Sequence, residues 1–286
     1  MSIINFNKVI IIQSLSAGNY KSGNILYEDS LKWKELTLHN LKVEFICIDN
    51  KVELKKIFKK IKDEAILYNL YPLLHFDMHG SREKDGLILS NGDFISWWDL
   101  KDDLTDINIS TANNLFITLA TCYGGFLYKI LGTYDRAPFW GLIAPLDIIE
   151  SYYVSVNFNV FYNELLTSFD YKKAIEKLNN SNEKKTPFAF INSERVFLNA
   201  WKHYSINLCS PAALENRGIK IAKKANAKYG VSKQVIKRFC KEYLVKNKEN
   251  HFYQFRDLFF MIDLFPENLA RFNLKYEEIE KLMLLK

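Results

Sequence analysis

The chain has 286 residues, of which 48% are hydrophobic and 15% aromatic, so a sizeable core can be buried and a disordered class is excluded. Its formal net charge of +6 is uneven: residues 1–200 carry 22 Lys/Arg against 24 Asp/Glu, and residues 201–286 carry 17 against 9. No stretch reaches the roughly 18 uninterrupted apolar residues of a membrane span, and the opening residues hold too short an apolar run for a signal peptide, so no membrane association is expected.

Taken in order, "KVIIIQS" (8–14) reads as a buried strand, followed by a Gly/Ser/Asn loop and an amphipathic helix near 26–39. "KVEFICID" (42–49) is a second strand, and "NKVELKKIFKKIKDEA" (50–65) a basic amphipathic helix. "PLLHFDMH" (72–79) and "LFITLATC" (115–122) lack the polar alternation of a one-sided sheet, as expected of strands covered on both faces. "PFWGLIAP" (138–145) is a fifth strand, followed by a helix in "SVNFNVFYNELLTSF" (155–169). Strands alternating with helices predict an α/β fold with a mostly parallel sheet. From about residue 192 the spacing becomes helical, so we expect one domain over 1–190 and a basic helical region over 191–286, parted near "NNSNEKKTP".

Two apolar stretches end on reactive side chains. His79 and Cys122 each close a predicted strand, and in open parallel sheets ligand-binding and catalytic groups gather beyond the carboxyl ends of the strands. Neighbouring strands lie about 4.8 Å apart, within reach of a thiol–imidazole pair. A cysteine needs a base or a lowered pKa to attack a carbonyl at neutral pH. His79 is the candidate base, and "YGGFLYKIL" after Cys122 reads as a helix whose amino end favours a thiolate. Gly80 and Gly124-Gly125 remove side chains where a substrate backbone would approach, and the amides of Gly80 and Cys122 are candidate oxyanion donors. Taken singly, a cysteine on an apolar strand is ordinarily a small core residue and a histidine a structural one. Their joint placement beside glycine is what singles them out. The four cysteines, Cys47, Cys122, Cys209 and Cys240, form neither a CxxC pair nor a disulfide framework, which predicts a reducing, cytoplasmic setting.

"HFDMHG", then "DGLILSNGDFISWWDL", then "LFITLATCYGG" resembles the CHAT branch of the caspase-like cysteine peptidases, and "FWGLIAPLDIIESYYVSVNFNVFYNELLTS" is similar to that family's next strand and helix. The resemblance spans roughly residues 70–175. It implies a caspase-like sheet, His79 as general base, Cys122 as nucleophile, Gly80 and the Cys122 amide as oxyanion hole, and hydrolysis of a protein partner's peptide bond through a thioester. It further implies a stand-alone defence effector against phage, either constitutively active or switched by a regulatory partner protein, and a structural role for His75. The chain departs from the family in having Ala120-Thr121 before Cys122, which leaves no acidic residue there to read a basic side chain. Asp77 shares a strand face with His79 and either orients the imidazole or faces a loop.

Other patterns carry less. A metal site from His75, His79 and Cys122 lacks a fourth ligand, and no cofactor is expected. "GNYKSGN" has Gly18 and Gly23 at phosphate-loop spacing, but Asn24-Ile25 replaces the Lys-Ser/Thr that holds phosphate and magnesium. Lys21 in that loop is a candidate contact for an acidic substrate residue, against the plain reading of a solvated lysine. Between Arg217 and Lys248 stand eleven basic residues and one acidic one. Lys220, Lys223, Lys224 and Lys228 form one helical stripe, and Lys237, Arg238 and Lys241 another. Such stripes suit a nucleic-acid backbone or an acidic protein, or are simply solvated faces. The alternative to an enzyme is thus a catalytically silent caspase-like scaffold that binds through this basic region.

Overall fold

The computed structural model describes residues 5–132, 134–181, 188–229, 232, 234–235, 238, 242–243 and 246–284. They divide into two compact units, Met1–Gly132 with Ala137–Ser193, and Thr133–Arg136 with Glu194–Lys286. The first unit is an α/β sheet of mostly parallel strands flanked by helices, and the second is helical, the fold class expected from the alternation of patterns.

In the first unit β1 (Lys8–Ser14), β2 (Lys42–Cys47), β3 (Pro72–Gly80), β6 (Phe116–Ala120), β7 (Gly141–Pro145) and β8 (Phe188–Asn192) lie side by side in the order β2-β1-β3-β6-β7-β8. All pair in parallel except β7 with β8. The hairpin β4 (Gly86–Ile88) and β5 (Phe94–Ser96) extends β3 past the parallel ladder, with His79 opposite Ile88. Every residue of β1, β6 and β7 is buried, which explains their unbroken apolar runs. The antiparallel β8 has no counterpart in the sequence reading: "FAFIN" is short, and the open edge of β7 decides its state.

The helix α3 (Lys51–Tyr68) turns Leu54, Phe58, Ile61 and Ala65 into the core, while Asn50 caps it by accepting from the Glu53 amide and Asn69 closes it in the left-handed conformation. Next to it, α4 (Trp97–Ser110) opens on a capping box between Ser96 and Asp99. Three ion pairs, Lys51–Asp99, Lys55–Asp103 and Lys62–Asp106, join their solvent faces. Exposed pairs of this kind contribute about 0–1 kcal/mol each, so the buried apolar faces hold the helices. The helical run after β1 starts at Ser22, earlier than predicted: α1 (Ser22–Leu26) leads through a π turn (Tyr27–Leu31) into α2 (Lys32–Thr37). Its first amides are satisfied from a distant strand, as described below. Helices α5 (Ser151–Ser168) and α6 (Tyr171–Asn180) complete the unit.

The second unit includes helices Pro211–Tyr229, Lys248–Phe259 and Tyr276–Leu284. Phe197, Phe252, Phe259, Phe260 and Phe272 are buried in its core, and Arg136 meets Asp263 through two hydrogen bonds of 2.7 and 2.6 Å. The aromatics of "HFYQFRDLFFMIDLF" therefore build a core, with Phe260 stacked on Phe272. Lys220, Lys223, Lys224 and Lys228 fall in the helix Pro211–Tyr229, the first three exposed. Arg238 is exposed beside Glu242, and Lys237 and Lys241 lie outside the described residues.

Candidate active site at the carboxyl edge of the sheet

Along β3, His75, Asp77 and His79 occupy alternate positions and so one face of the strand. Each finds a different partner. His75 is buried, with Nδ1 2.8 Å from Thr118 Oγ1 and 3.3 Å from the Tyr162 hydroxyl, and its ring packs edge-on against Phe158. Burial pushes its pKa down to about 3, so it is a neutral structural group. Asp77 is also buried, and its two oxygens accept from Ser22 Oγ and the Gly23 amide, both at 2.6 Å. Burial raises the carboxyl to about 6 even though both hydrogen bonds favour the anion. Of the two roles open to Asp77, these contacts are those of a loop anchor: they satisfy the first turn of α1, and neither oxygen touches His79.

His79 is exposed at the strand end, where Asn19 supplies its contact, with Nδ2 3.0 Å from His79 Nε2. Asn19 is a site residue that the sequence did not single out. Its only signal was its place in the loop after the first strand, read above for phosphate binding.

The β3–β6 ladder ends at Asp77 opposite Ala120, and Cys122 follows two residues later. Thr121 Oγ1 donates to the Met78 carbonyl at 3.0 Å and ties the two strand ends together. A Cβ on Gly80 would fall 1.9 Å from the Cys122 carbonyl oxygen, so only glycine lets the two backbones approach this closely. The Ser81 amide donates to Gly86 in β4, and successive amides of a strand point to opposite sides, so the Gly80 amide faces away from β4. The β4–β5 turn sits over the end of β1, where the Ser90 amide donates to Ser14 Oγ. The Gly80 amide therefore points toward the β6 side, where Cys122 lies. The Cys122 amide donates to no carbonyl among the described residues. Tyr123 sits in the left-handed region at φ 59°, a costly conformation for a tyrosine that turns the chain sharply just after the cysteine. Its amide donates to Asp147 O at 3.3 Å and Lys84 Nζ lies 4.8 Å over its ring. The half-buried Cys122 thiol is 3.6 Å from the Ile149 carbonyl.

Two expectations change. The segment after Cys122 is a seven-residue 3₁₀ helix, Gly124–Ile130, without a side-chain cap, so it does not supply the aligned dipole of an α-helix. Gly124 and Gly125 are packing glycines: a Cβ would meet Leu119 Cβ at 2.8 Å and Leu146 Cδ2 at 2.5 Å, so they let the 3₁₀ turn lie on β6 and on the exit of β7 rather than making room for a substrate. Lys21 is exposed at the start of α1, where its ammonium makes no hydrogen bond or ion pair among the described residues and its charge acts on Cys47 at the end of β2. Burial outweighs that charge and raises the Cys47 thiol. His75 faces the core and stands apart from His79 and Cys122 as a ligand, and no group of three metal-ligating side chains occurs among the described residues.

No helix among the described residues is long and apolar enough to cross a membrane. No family model matches the sequence. No curated protein matches it significantly. Among solved structures the chain is similar to the Drosophila initiator caspase Dronc, with a TM-score of 0.46 and 11% identity over 66% of this chain and 82% of that one.

Proposed function

We propose that the chain is a caspase-like cysteine endopeptidase of the CHAT type, with Cys122 as nucleophile and His79 as general base. The observation that carries this reading is the approach of Gly80 to the Cys122 carbonyl, which sets a base and a thiol on neighbouring strand ends beside two backbone amides. His79 takes the thiol proton, and the thiolate attacks the scissile carbonyl carbon, forming a C–S bond as the π pair moves to oxygen. The amides of Gly80 and Cys122 stabilise that oxyanion. Collapse returns the proton from His79 to the leaving amine, and water, deprotonated by His79, cleaves the thioester and restores the thiol. In the free protein the thiol and the imidazole each contact another group, Ile149 O and Asn19, so a rotation of the Cys122 side chain precedes proton transfer. The resemblance to the CHAT branch supports a protein substrate and a role in defence against phage, and the spacing of the four cysteines supports a cytoplasmic setting.

The test is alkylation by a peptidyl acyloxymethyl ketone, read by mass spectrometry at all four cysteines. Labelling at Cys122 that is lost in His79→Ala is expected. Equal labelling of wild type and Cys122→Ala would overturn the assignment.

A second reading, a silent scaffold binding an acidic partner, draws on the exposed Lys220, Lys223 and Lys224. It predicts no labelling of Cys122 and retention of the protein on a polyanion column.

A further inference from the structure

We propose that the amino edge of the sheet, opposite the candidate active site, carries a second binding site, for a neutral planar heterocycle of the purine class, free or as its nucleoside. A cavity of about 360 Å³ opens there, walled by Phe6, Leu38, His39, Asn40, Leu41 and Phe169. Its volume falls within the range of about 300–1,000 Å³ usual for small-molecule sites. β1 is seven residues long at about 3.3 Å per residue, so the cavity before it and the loops after it stand roughly 20 Å apart.

Of the polar groups in the wall, Asn7 and Thr37 are committed to the fold. Asn7 uses both ends of its amide on backbone, Nδ2 donating to Asn69 O at 3.1 Å and Oδ1 accepting from the Tyr71 amide at 2.7 Å. Its own backbone joins Tyr71 and Lys42 at 3.1 and 2.9 Å, which ties the start of β1 to the starts of its two neighbours. Thr37 donates its hydroxyl to Lys34 O. His39 and Asn40, in the turn between α2 and β2, differ: both are exposed, and neither side chain hydrogen-bonds among the described residues.

Phe169 is the residue that points to a ligand. It closes α5 at φ 53°, ψ 24°, the left-handed conformation in which glycine or asparagine ordinarily ends a helix. Asn69 ends α3 in that way. A phenylalanine there is strained, and with 61% of it exposed its packing offsets little of that strain. Strain that packing does not offset clusters at ligand clamps.

The chemistry of the wall narrows the ligand. None of the lining residues is Lys, Arg, Asp or Glu, so nothing there compensates a charge. Phe6 and Phe169 offer ring faces on which a flat ligand stacks. The Asn40 amide presents a donor and an acceptor side by side, the pair that reads the N6/N7 edge of an adenine in two hydrogen bonds.

Titration of adenine, adenosine, unsubstituted purine and AMP into the full chain, followed by calorimetry and saturation-transfer NMR, tests this without a peptide substrate. Saturable binding of adenine and adenosine is expected, with AMP bound no more tightly because the wall holds no cation. Phe169→Gly removes the ring and suits the left-handed turn, so it is expected to weaken adenine binding about 10- to 100-fold while raising the urea midpoint. Asn40→Ala is expected to weaken adenine about 10-fold and to leave purine, which lacks the 6-amino group, unchanged. The proposal is overturned if wild type binds neither adenine nor adenosine, or if AMP binds more tightly than adenosine. It is equally overturned if Phe169→Gly binds adenine as wild type does or melts at lower urea, or if Asn40→Ala binds adenine as wild type does. Asn40 lies in an exposed turn, so that variant decides should Phe169→Gly not fold. Alkylation of Cys122 bears on none of these readouts, so the peptidase reading and this site stand or fall separately.

Discussion

Replacing Gly80 by alanine isolates the contact on which the site depends. The added Cβ would stand 1.9 Å from the Cys122 carbonyl oxygen, 2.9 Å from its carbon and 3.0 Å from Thr121 Cγ2. A carbon beside a carbonyl oxygen settles no closer than about 3.3 Å, so the gap must open by more than about 1 Å. Neither wall yields easily, since Gly80 is paired with Leu87 of β4 and Thr121 is tied to Met78. Overpacking of this kind costs about 1–3 kcal/mol, and a misplacement of about 1 Å costs about 100-fold in rate. Gly80→Ala is thus expected to fold with a lowered denaturant midpoint and to lose about 100-fold in the rate of Cys122 alkylation by the peptidyl electrophile. Gly92→Ala is the control: it strains a backbone at φ +90° with nothing within 4 Å, so it costs stability and spares the site. If Gly80→Ala reacts as fast as wild type, the backbone approach does not set the geometry of the pair and the reasoning fails.

Asp77 gives a pH signature. Its folded-state pKa of about 6 lies above that of the unfolded chain, so the stability it contributes is complete below about pH 4 and lost as pH rises through about 6. Wild type should therefore be about 1 kcal/mol more stable at pH 5 than at pH 7 relative to Asp77→Asn in urea melts, and a constant difference between the two proteins would refute it. Tyr162→Phe removes the hydroxyl 2.8 Å from Thr118 Oγ1 and should cost about 1–2 kcal/mol in the same melts without slowing alkylation of Cys122. If the exposed lysines serve a phosphate backbone, Lys220→Gln, Lys223→Gln and Lys224→Gln together should flatten the salt dependence of duplex binding by about 3 in log–log slope; an unchanged slope removes that face from consideration.

The parts of the fold that were legible are those whose cause is local. β1, β3 and β6 read as strands without the polar alternation of a one-sided sheet because both their faces are covered, and α3 declared itself by helical spacing with Asn50 at its start. The start of α1 was not legible, because the group that satisfies its first amides, Asp77, is 54 positions away in sequence from Gly23. β8 was missed for a related reason: its pairing with β7 makes it a strand. At the site, His79 and Cys122 stood out because strand ends and glycines mark them, but the backbone that approaches Gly80 is that of Cys122 in this chain and not a substrate's. Gly124 and Gly125 carry the same mark because the side chains of Leu119 and Leu146 lie against them. Asn19 was hidden because "SAGNYKSGN" has the composition of any turn, and only the folded loop brings it to the imidazole.

The three polar residues of β3 explain why the site sits where it does. His75 and Asp77 are 1% and 2% exposed and are satisfied by protein groups alone, whereas His79 at the next alternate position reaches solvent. Moving along one face from the middle of the sheet to its edge, the same strand supplies a core hydrogen-bond hub, then an anchor for the α1 loop, then an imidazole open to solvent. A buried polar group that loses its partner costs about 1–3 kcal/mol, so folding constrains the first two positions more than the third. The constraint does not stop at the fold, however. Asp77 fixes Ser22 and Gly23, those residues fix the loop that presents Asn19, and Asn19 meets His79. A change at Asp77 is thereby carried back to the ring of His79 by a path that leaves the strand and returns to it two residues later, which couples the stability of this sheet edge to the orientation of that imidazole.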